Sequence, residues 1–133
     1  MNRQTIRVFY PSERGAVVRL RTEENWDLDI EPVSVSDMVS EFSVPTARQY
    51  FYFKPVRLSA SGVQWSRGEN YLATSTFDTA AEVYPHFLDD TRCTVCELMP
   101  PLASPAGIEH RFRVFLPPGY QENTLRRFPV LYM

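Results

Sequence analysis

The amino-acid sequence predicts an all-β fold in which a β-sandwich is followed by a trailing β-hairpin. Eleven prolines are spread along the 133 residues, and proline breaks the interior of a helix. Aromatic residues that favour strands are frequent, with nine Phe and seven Tyr. The strand-like stretches are short and alternate with turn-forming residues, which is typical of a sandwich. No segment has a convincing helical pattern.

Six strands are predicted in the first part of the chain. They are Thr5–Tyr10, Ala16–Thr22, Val39–Val44, Tyr50–Leu58, Val63–Trp65 and Tyr71–Thr76. The strand from Tyr50 alternates most clearly, because Phe51 and Phe53 are expected on one face while Tyr52 and Lys54 are expected on the other.

The proline-rich stretch after these strands predicts a domain boundary. Residues 1–85 are expected to form the sandwich, 86–108 a linker, and 109–133 the start of a second unit containing strands His110–Leu116 and Phe128–Met133. The run Phe128–Met133 is almost entirely apolar, as in strands that are covered on both faces. We therefore expect the chain to stop inside a second domain, and its hairpin to pack on the sandwich, to associate with another copy or to stay disordered.

Charge and hydropathy narrow the classes of partner. Fourteen basic and sixteen acidic residues give a net charge of −2, which argues against binding to nucleic acid or to an anionic membrane surface. No apolar run approaches a membrane span and no export signal follows the N-terminus, so a cytoplasmic location is expected. No cofactor is expected.

One ordered set of motifs lies within residues 1–85. Asn25-Trp26-Asp27 is followed by Tyr50-Phe51-Tyr52-Phe53-Lys54, then by Ser61-Gly62-Val63-Gln64-Trp65, and finally by Asn70. This order resembles the starch-binding modules of carbohydrate-binding module families 20 and 48. The resemblance implies an immunoglobulin-like β-sandwich with a surface α-glucan site built from Trp26, Lys54, Trp65 and Asn70.

These residue types suit a sugar ligand. The C–H face of a pyranose ring stacks on an indole, while the Asn70 carboxamide and the Lys54 ammonium can hydrogen-bond to hydroxyls. Lys54 is the only lysine in the chain. An equally weighted alternative is that Trp26 and Trp65 belong to the core of the sandwich.

A second resemblance covers the end of the chain. Arg113-Val114-Phe115-Leu116-Pro117-Pro118-Gly119-Tyr120, followed by Arg127-Phe128-Pro129-Val130-Leu131-Tyr132-Met133, is similar to the opening hairpin of α/β-hydrolases of the enterochelin esterase and esterase D type. Members of that family often carry an N-terminal sandwich of the glycogen-binding kind. The resemblance implies a carboxylic-ester hydrolase as the parent protein and a missing hydrolase domain as a partner.

The sequence itself offers no catalytic residues. An α/β-hydrolase needs a nucleophile in a G-x-S-x-G elbow, with the histidine placed after it, and this chain has neither. His86 and His110 are expected to be ordinary loop or strand residues, and Cys93 and Cys96 lack the further ligands of a zinc site. We therefore expect a non-catalytic accessory module that binds an α-glucan or positions substrate. The alternative is a structural or interaction domain that packs on the hydrolase and has no sugar site.

Overall fold

A computed structural model describes residues 2–11, 16–74, 79–88, 94–97 and 101–133. Within these ranges the fold is all-β and contains no helix, which confirms the predicted class. The strands are β1 (Asn2–Phe9), β2 (Val17–Thr22), β3 (Asn25–Ile30), β4 (Ser34–Val35), β5 (Val39–Thr46), β6 (Tyr50–Ser59), β7 (Gly62–Trp65), β8 (Tyr71–Thr74), β9 (Ala81–Val83), β10 (Thr94–Glu97), β11 (Leu102–Ala103), β12 (Glu109–His110) and β13 (Arg113–Leu116). The described part of the chain offers no helix that is long and apolar enough for a membrane crossing.

Nine of these strands form two sheets. The first sheet has the order β4-β5-β1-β9, in which β1 runs antiparallel to β5 and parallel to β9. The second sheet has the order β3-β2-β6-β7, and β8 also pairs with β6. All six predicted strands are present with bounds shifted by a few residues, although Ser75 and Thr76 lie outside the described residues.

The hydrophobic core lies between the two sheets. Its side chains come from both of them, with Ile6 and Phe42 from the first sheet and Leu20, Phe51 and Phe53 from the second. The predicted alternation along β6 is confirmed, because Phe51 and Phe53 are buried while Tyr50 and Tyr52 are exposed. The face of β6 opposite the core therefore forms part of the outer surface of the second sheet.

The outer surfaces of the two sheets differ in chemistry. On the first sheet, Arg7 Nε lies 2.9 Å from Glu41 Oε2 and Arg7 Nη1 lies 3.6 Å from Glu82 Oε1. The hydrogen bond to Glu41, followed by the attraction of its charge, raises the pKa of the Arg7 guanidinium. The second sheet instead presents aromatic side chains, which makes its outer face the better candidate for a binding site.

The predicted strand Phe128–Met133 is wrong. None of residues 126–133 forms a strand, and the side chains of Val130, Leu131 and Tyr132 are 72–89% exposed. An apolar run becomes a strand only when a neighbouring strand completes its backbone hydrogen bonds, and within the described part of the chain no strand lies beside this one. The other half of the predicted hairpin, β13, pairs antiparallel with β10 instead.

Other elements of the C-terminal part also differ from the expectation. The predicted strand His110–Leu116 is divided into β12 and β13, which have different partners. Two strands, β10 and β11, fall within the predicted linker 86–108.

One predicted outcome for the C-terminal segment is partly observed, because residues around Glu122 dock on the sandwich. The Tyr10 hydroxyl donates to Glu122 Oε1 at 2.7 Å, and the backbone N–H of Phe87 donates to the same carboxylate at 3.0 Å. Asn123 Nδ2 donates to the carbonyls of Phe9 and Pro85 at 2.8 and 2.7 Å. We call this turn, residues 119–123, the clasp.

Candidate functional site

The two tryptophans meet on the outer face of the second sheet. Trp26 lies on β3 and Trp65 on β7, at opposite ends of the strand order, yet their ring centroids are 6.1 Å apart with planes inclined at 65°. Neither belongs to the core cluster. Trp65 is 38% exposed and Trp26 is half-buried. The alternative that these tryptophans fill the core is therefore excluded.

Arg21 connects the two tryptophans, and the sequence reasoning missed it. Its Nη1 donates to the Trp26 carbonyl at 2.9 Å, and its Cζ lies 5.1 Å from the Trp65 ring centroid, within the range of a cation–π interaction. Its Nε lies 2.6 Å from Asp29 Oδ1. The sequence did contain a signal for Arg21. Core-facing and outward-facing residues alternate along β2, and this alternation places Arg21 on the outer face.

Lys54 lies beside this group on β6. It is the direct cross-strand partner of Arg21, so two cations occupy neighbouring positions on one face. The Lys54 ammonium donates to the Gly68 carbonyl at 2.7 Å. This bond fixes the loop that joins β7 to β8, in which Gly68 has a φ of 86°.

Asn70 ends the same loop and is exposed. The ladder between β6 and β8 pairs Phe53 with Tyr71, so the next positions along the two strands are Lys54 and Asn70. Asn70 therefore lies immediately before the last pair of this ladder, on the side of Lys54. Of the four residues predicted as a glucan site, Trp26 and Trp65 are in contact, Lys54 lies on β6, the strand beside β7, and Asn70 lies in the loop before β8.

The exposed aromatic surface continues along β6 beyond Lys54. Tyr52 and Tyr50 are 42% and 58% exposed, and Leu72, the cross-strand partner of Tyr52, is 50% exposed. Beneath this surface, Tyr71 stacks on Phe53 with ring centroids 5.6 Å apart. Burial raises the pKa of the Tyr71 phenol, and the positive charge of Arg126 opposes that shift.

The histidines and the one cysteine that the structure describes do not form a metal site. Cys93 lies outside the described residues, and Cys96 is a free thiol on β10. His86 and His110 are not brought together with other potential ligands, because the described residues hold no group of three or more His, Cys, Asp or Glu able to bind a metal. His110 instead stacks on Phe112 at 6.5 Å between centroids.

Comparison with protein-family models, with curated proteins and with solved structures gave no match to this chain.

Proposed function

We propose that this chain is a non-catalytic carbohydrate-binding module whose ligand is an α-glucan, held on the outer face of the second sheet by Trp26, Lys54, Trp65 and Asn70. The observation that carries the proposal is the pair of tryptophans in contact at that surface, outside the core and next to Lys54 and Asn70. An immunoglobulin-like topology and attachment to an esterase-type hydrolase are parts of the same proposal and rest on the sequence resemblances.

The geometry favours a curved sugar chain over a flat one. Two indole planes inclined at 65° present stacking surfaces in different directions, so successive rings of a bent α-glucan can each find one. The Arg21 guanidinium, with its side chain 12% exposed, and Trp26 both pack against Trp65, and the 38% of Trp65 that stays exposed is the surface proposed to meet the ligand. The exposed carboxamide of Asn70 offers both a donor and an acceptor to sugar hydroxyls.

The second candidate is a protein-interaction domain. Lys54 already donates to the Gly68 carbonyl and Arg21 already covers part of Trp65, so both side chains also serve the fold. Exposed tryptophans with a neighbouring arginine are the residues that dominate many protein interfaces. On this reading the same face packs on the hydrolase and no sugar binds.

Affinity electrophoresis distinguishes these functions. The full chain is run through native gels that contain amylose, glycogen, xylan or no polysaccharide, and Trp65→Ala is run beside it. We expect retardation by amylose and glycogen, and a loss of at least about tenfold in affinity for Trp65→Ala, as for a residue at the centre of an interface. Titration calorimetry with maltoheptaose measures the same loss in solution.

A matched control removes an aromatic ring from the other sheet. Tyr84 stacks on Phe9 with ring centroids 4.8 Å apart, and Tyr84→Ala is expected to keep the wild-type retardation. Equal mobility of the wild-type chain in all gels, together with no heat on titration, would refute glucan binding and favour the interaction domain. Equal losses for Trp65→Ala and Tyr84→Ala would show that the effect comes from altered folding rather than from a site.

A further inference from the structure

The strand end that carries Trp65 is anchored on both sides of the tryptophan. Gln64 Nε2 donates to the Phe87 carbonyl at 3.0 Å, and the backbone N–H of Arg67 donates to the His86 carbonyl at 2.8 Å. Trp65 lies between these two anchoring residues. Trp65 itself pairs with Val56 on β6, and the backbone N–H of Ser66 donates to the Pro55 carbonyl at 3.1 Å. The backbone of residues 86 and 87 therefore holds this end of β7 together with the β6 ladder.

That backbone is held in turn by the clasp. The Glu122 carboxylate accepts from the backbone N–H of Phe87 through both oxygens at 3.0 Å, and from Leu88 N–H at 3.2 Å. Glu122 is 5% exposed, and a carboxylate buried among donors forms strong, charge-assisted hydrogen bonds. Asn123 holds the same segment from its other end through the Pro85 carbonyl.

We propose that Glu122 is a positioning residue for Trp65. It acts through the 86–87 backbone and couples the C-terminal clasp to the candidate binding face. The functional meaning of this coupling rests on the proposed glucan site, but the positioning of Trp65 does not. A binding residue is oriented well only when the groups behind it are themselves fixed by hydrogen bonds. Each hydrogen bond that links Glu122 to the end of β7 uses a backbone N–H or carbonyl that is not paired within a sheet.

The coupling works in both directions. If the clasp favours the binding orientation of Trp65, a bound glucan must stabilise the clasp by the same factor. Whatever polypeptide or surface displaces the clasp would therefore weaken glucan binding. We expect removal of the Glu122 carboxylate to weaken glucan affinity about 3- to 10-fold, within the range found for coupling through packed networks.

The test isolates Trp65 by its fluorescence. The chain has two tryptophans, so Trp26→Phe leaves Trp65 as the only indole. In this background, Glu122→Ala is expected to raise the acrylamide quenching constant of Trp65 about twofold and to speed amide exchange at Arg67 about tenfold. Glu122→Gln keeps one acceptor oxygen for the Phe87 N–H and is expected to restore part of both values.

Two controls separate positioning from lost stability. Val44→Ala removes buried volume from the first sheet, where Val44 is 5% exposed, and lowers global stability without touching the path. Glu109→Ala removes a surface carboxylate that pairs with Arg111. All proteins are compared under conditions in which each is fully folded by far-ultraviolet circular dichroism.

The outcomes are distinct. If Glu122→Ala and Val44→Ala give the same Trp65 quenching and the same Arg67 exchange, the positioning role is overturned. If the quenching and exchange change only in Glu122→Ala while the wild-type chain binds no glucan, the positioning role stands and the proposed function fails. If wild type binds glucan and Glu122→Ala binds it equally tightly with unchanged quenching, the proposed function stands and the positioning role fails.

Discussion

Gly119→Ala is expected to destabilise the sandwich through the positive φ of this position and through a close contact with His86. Gly119 has a φ of 77°, where any L-residue other than glycine costs about 1–2 kcal/mol. A Cβ at this position would lie 2.5 Å from His86 Cγ and 2.8 Å from His86 Cβ. Rotation of the His86 ring cannot move its own Cβ, so the backbone of the clasp must shift at a further cost of about 1–3 kcal/mol. The expected total is about 2–5 kcal/mol, a large part of the roughly 5–15 kcal/mol that holds a domain folded.

Gly107→Ala is the matched control. Gly107 also has a φ of 77°, and a Cβ there would meet nothing within 4 Å. It should lose only the backbone part, about 1–2 kcal/mol. Urea unfolding followed by tryptophan fluorescence measures both variants, and the difference between them isolates the contact with His86.

A double-mutant cycle completes the experiment. His86→Ala removes the Cγ and Nδ1 atoms, which make two of the three close contacts with the new methyl group, but it keeps Cβ at 2.8 Å. Adding it to Gly119→Ala should therefore recover only part of the contact cost, about 1 kcal/mol relative to the sum of the single changes. Equal stability of Gly119→Ala and Gly107→Ala would refute the reasoning, because the close approach to His86 would then carry no cost.

Three further changes test other parts of the structure. Arg21→Ala is expected to cost about 1–3 kcal/mol, because the Trp26 carbonyl loses a partner, and to increase acrylamide quenching of tryptophan fluorescence, because the guanidinium no longer covers part of the Trp65 ring; wild-type quenching would contradict the role of Arg21. Ser66→Ala should leave stability unchanged or raise it by up to about 1 kcal/mol in thermal unfolding, since the buried Ser66 hydroxyl oxygen has no hydrogen-bond partner among the residues that the structure describes; a loss of stability would show that a partner exists. The pKa of Tyr71 in the folded state is raised above its ordinary value of 10.0, so the folded state binds the phenol proton more tightly than the unfolded state does. The stabilisation from this difference is complete below pH 10 and is lost as the pH rises through the folded pKa. Tyr71→Phe should therefore show a smaller loss of unfolding free energy between pH 9 and 11 than wild type, and an equal loss would contradict the raised pKa.

Local patterns predicted the sandwich because its strands obey a simple period. In β6 the alternation of Phe51 and Phe53 with Tyr50 and Tyr52 predicts both that the segment is a strand and which of its faces is buried. β3 was missed because Asp27 and Asp29 are residues that strands usually avoid. The structure explains Asp29, which accepts from Arg21 on the outer face.

The candidate site was predicted in its members but not in its arrangement. Motif order identified Trp26, Lys54, Trp65 and Asn70, whereas the sequence could not decide whether the tryptophans are buried. Whether the tryptophans are buried depends on the face of the sheet on which each indole lies and on how far it extends over the strands between β3 and β7. Arg21 belongs to no motif. The alternation along β2 predicts that it faces outward, but its position opposite Lys54 follows only from the register between β2 and β6.

The end of the chain shows why hydrophobicity alone misled the prediction there. The apolar run 128–133 is exposed, while the polar residues Glu122 and Asn123 are buried at 5% and 1% exposure. These two residues satisfy backbone groups of Phe9, Pro85, Phe87 and Leu88, and buried groups of that kind require a partner. The sequence shows where the polar residues are, but it does not show which backbone groups the sheets leave unpaired. That depends on the residues at which β1 and β9 end. A carboxylate and a carboxamide are suited to this position because between them they accept from N–H groups and donate to carbonyls.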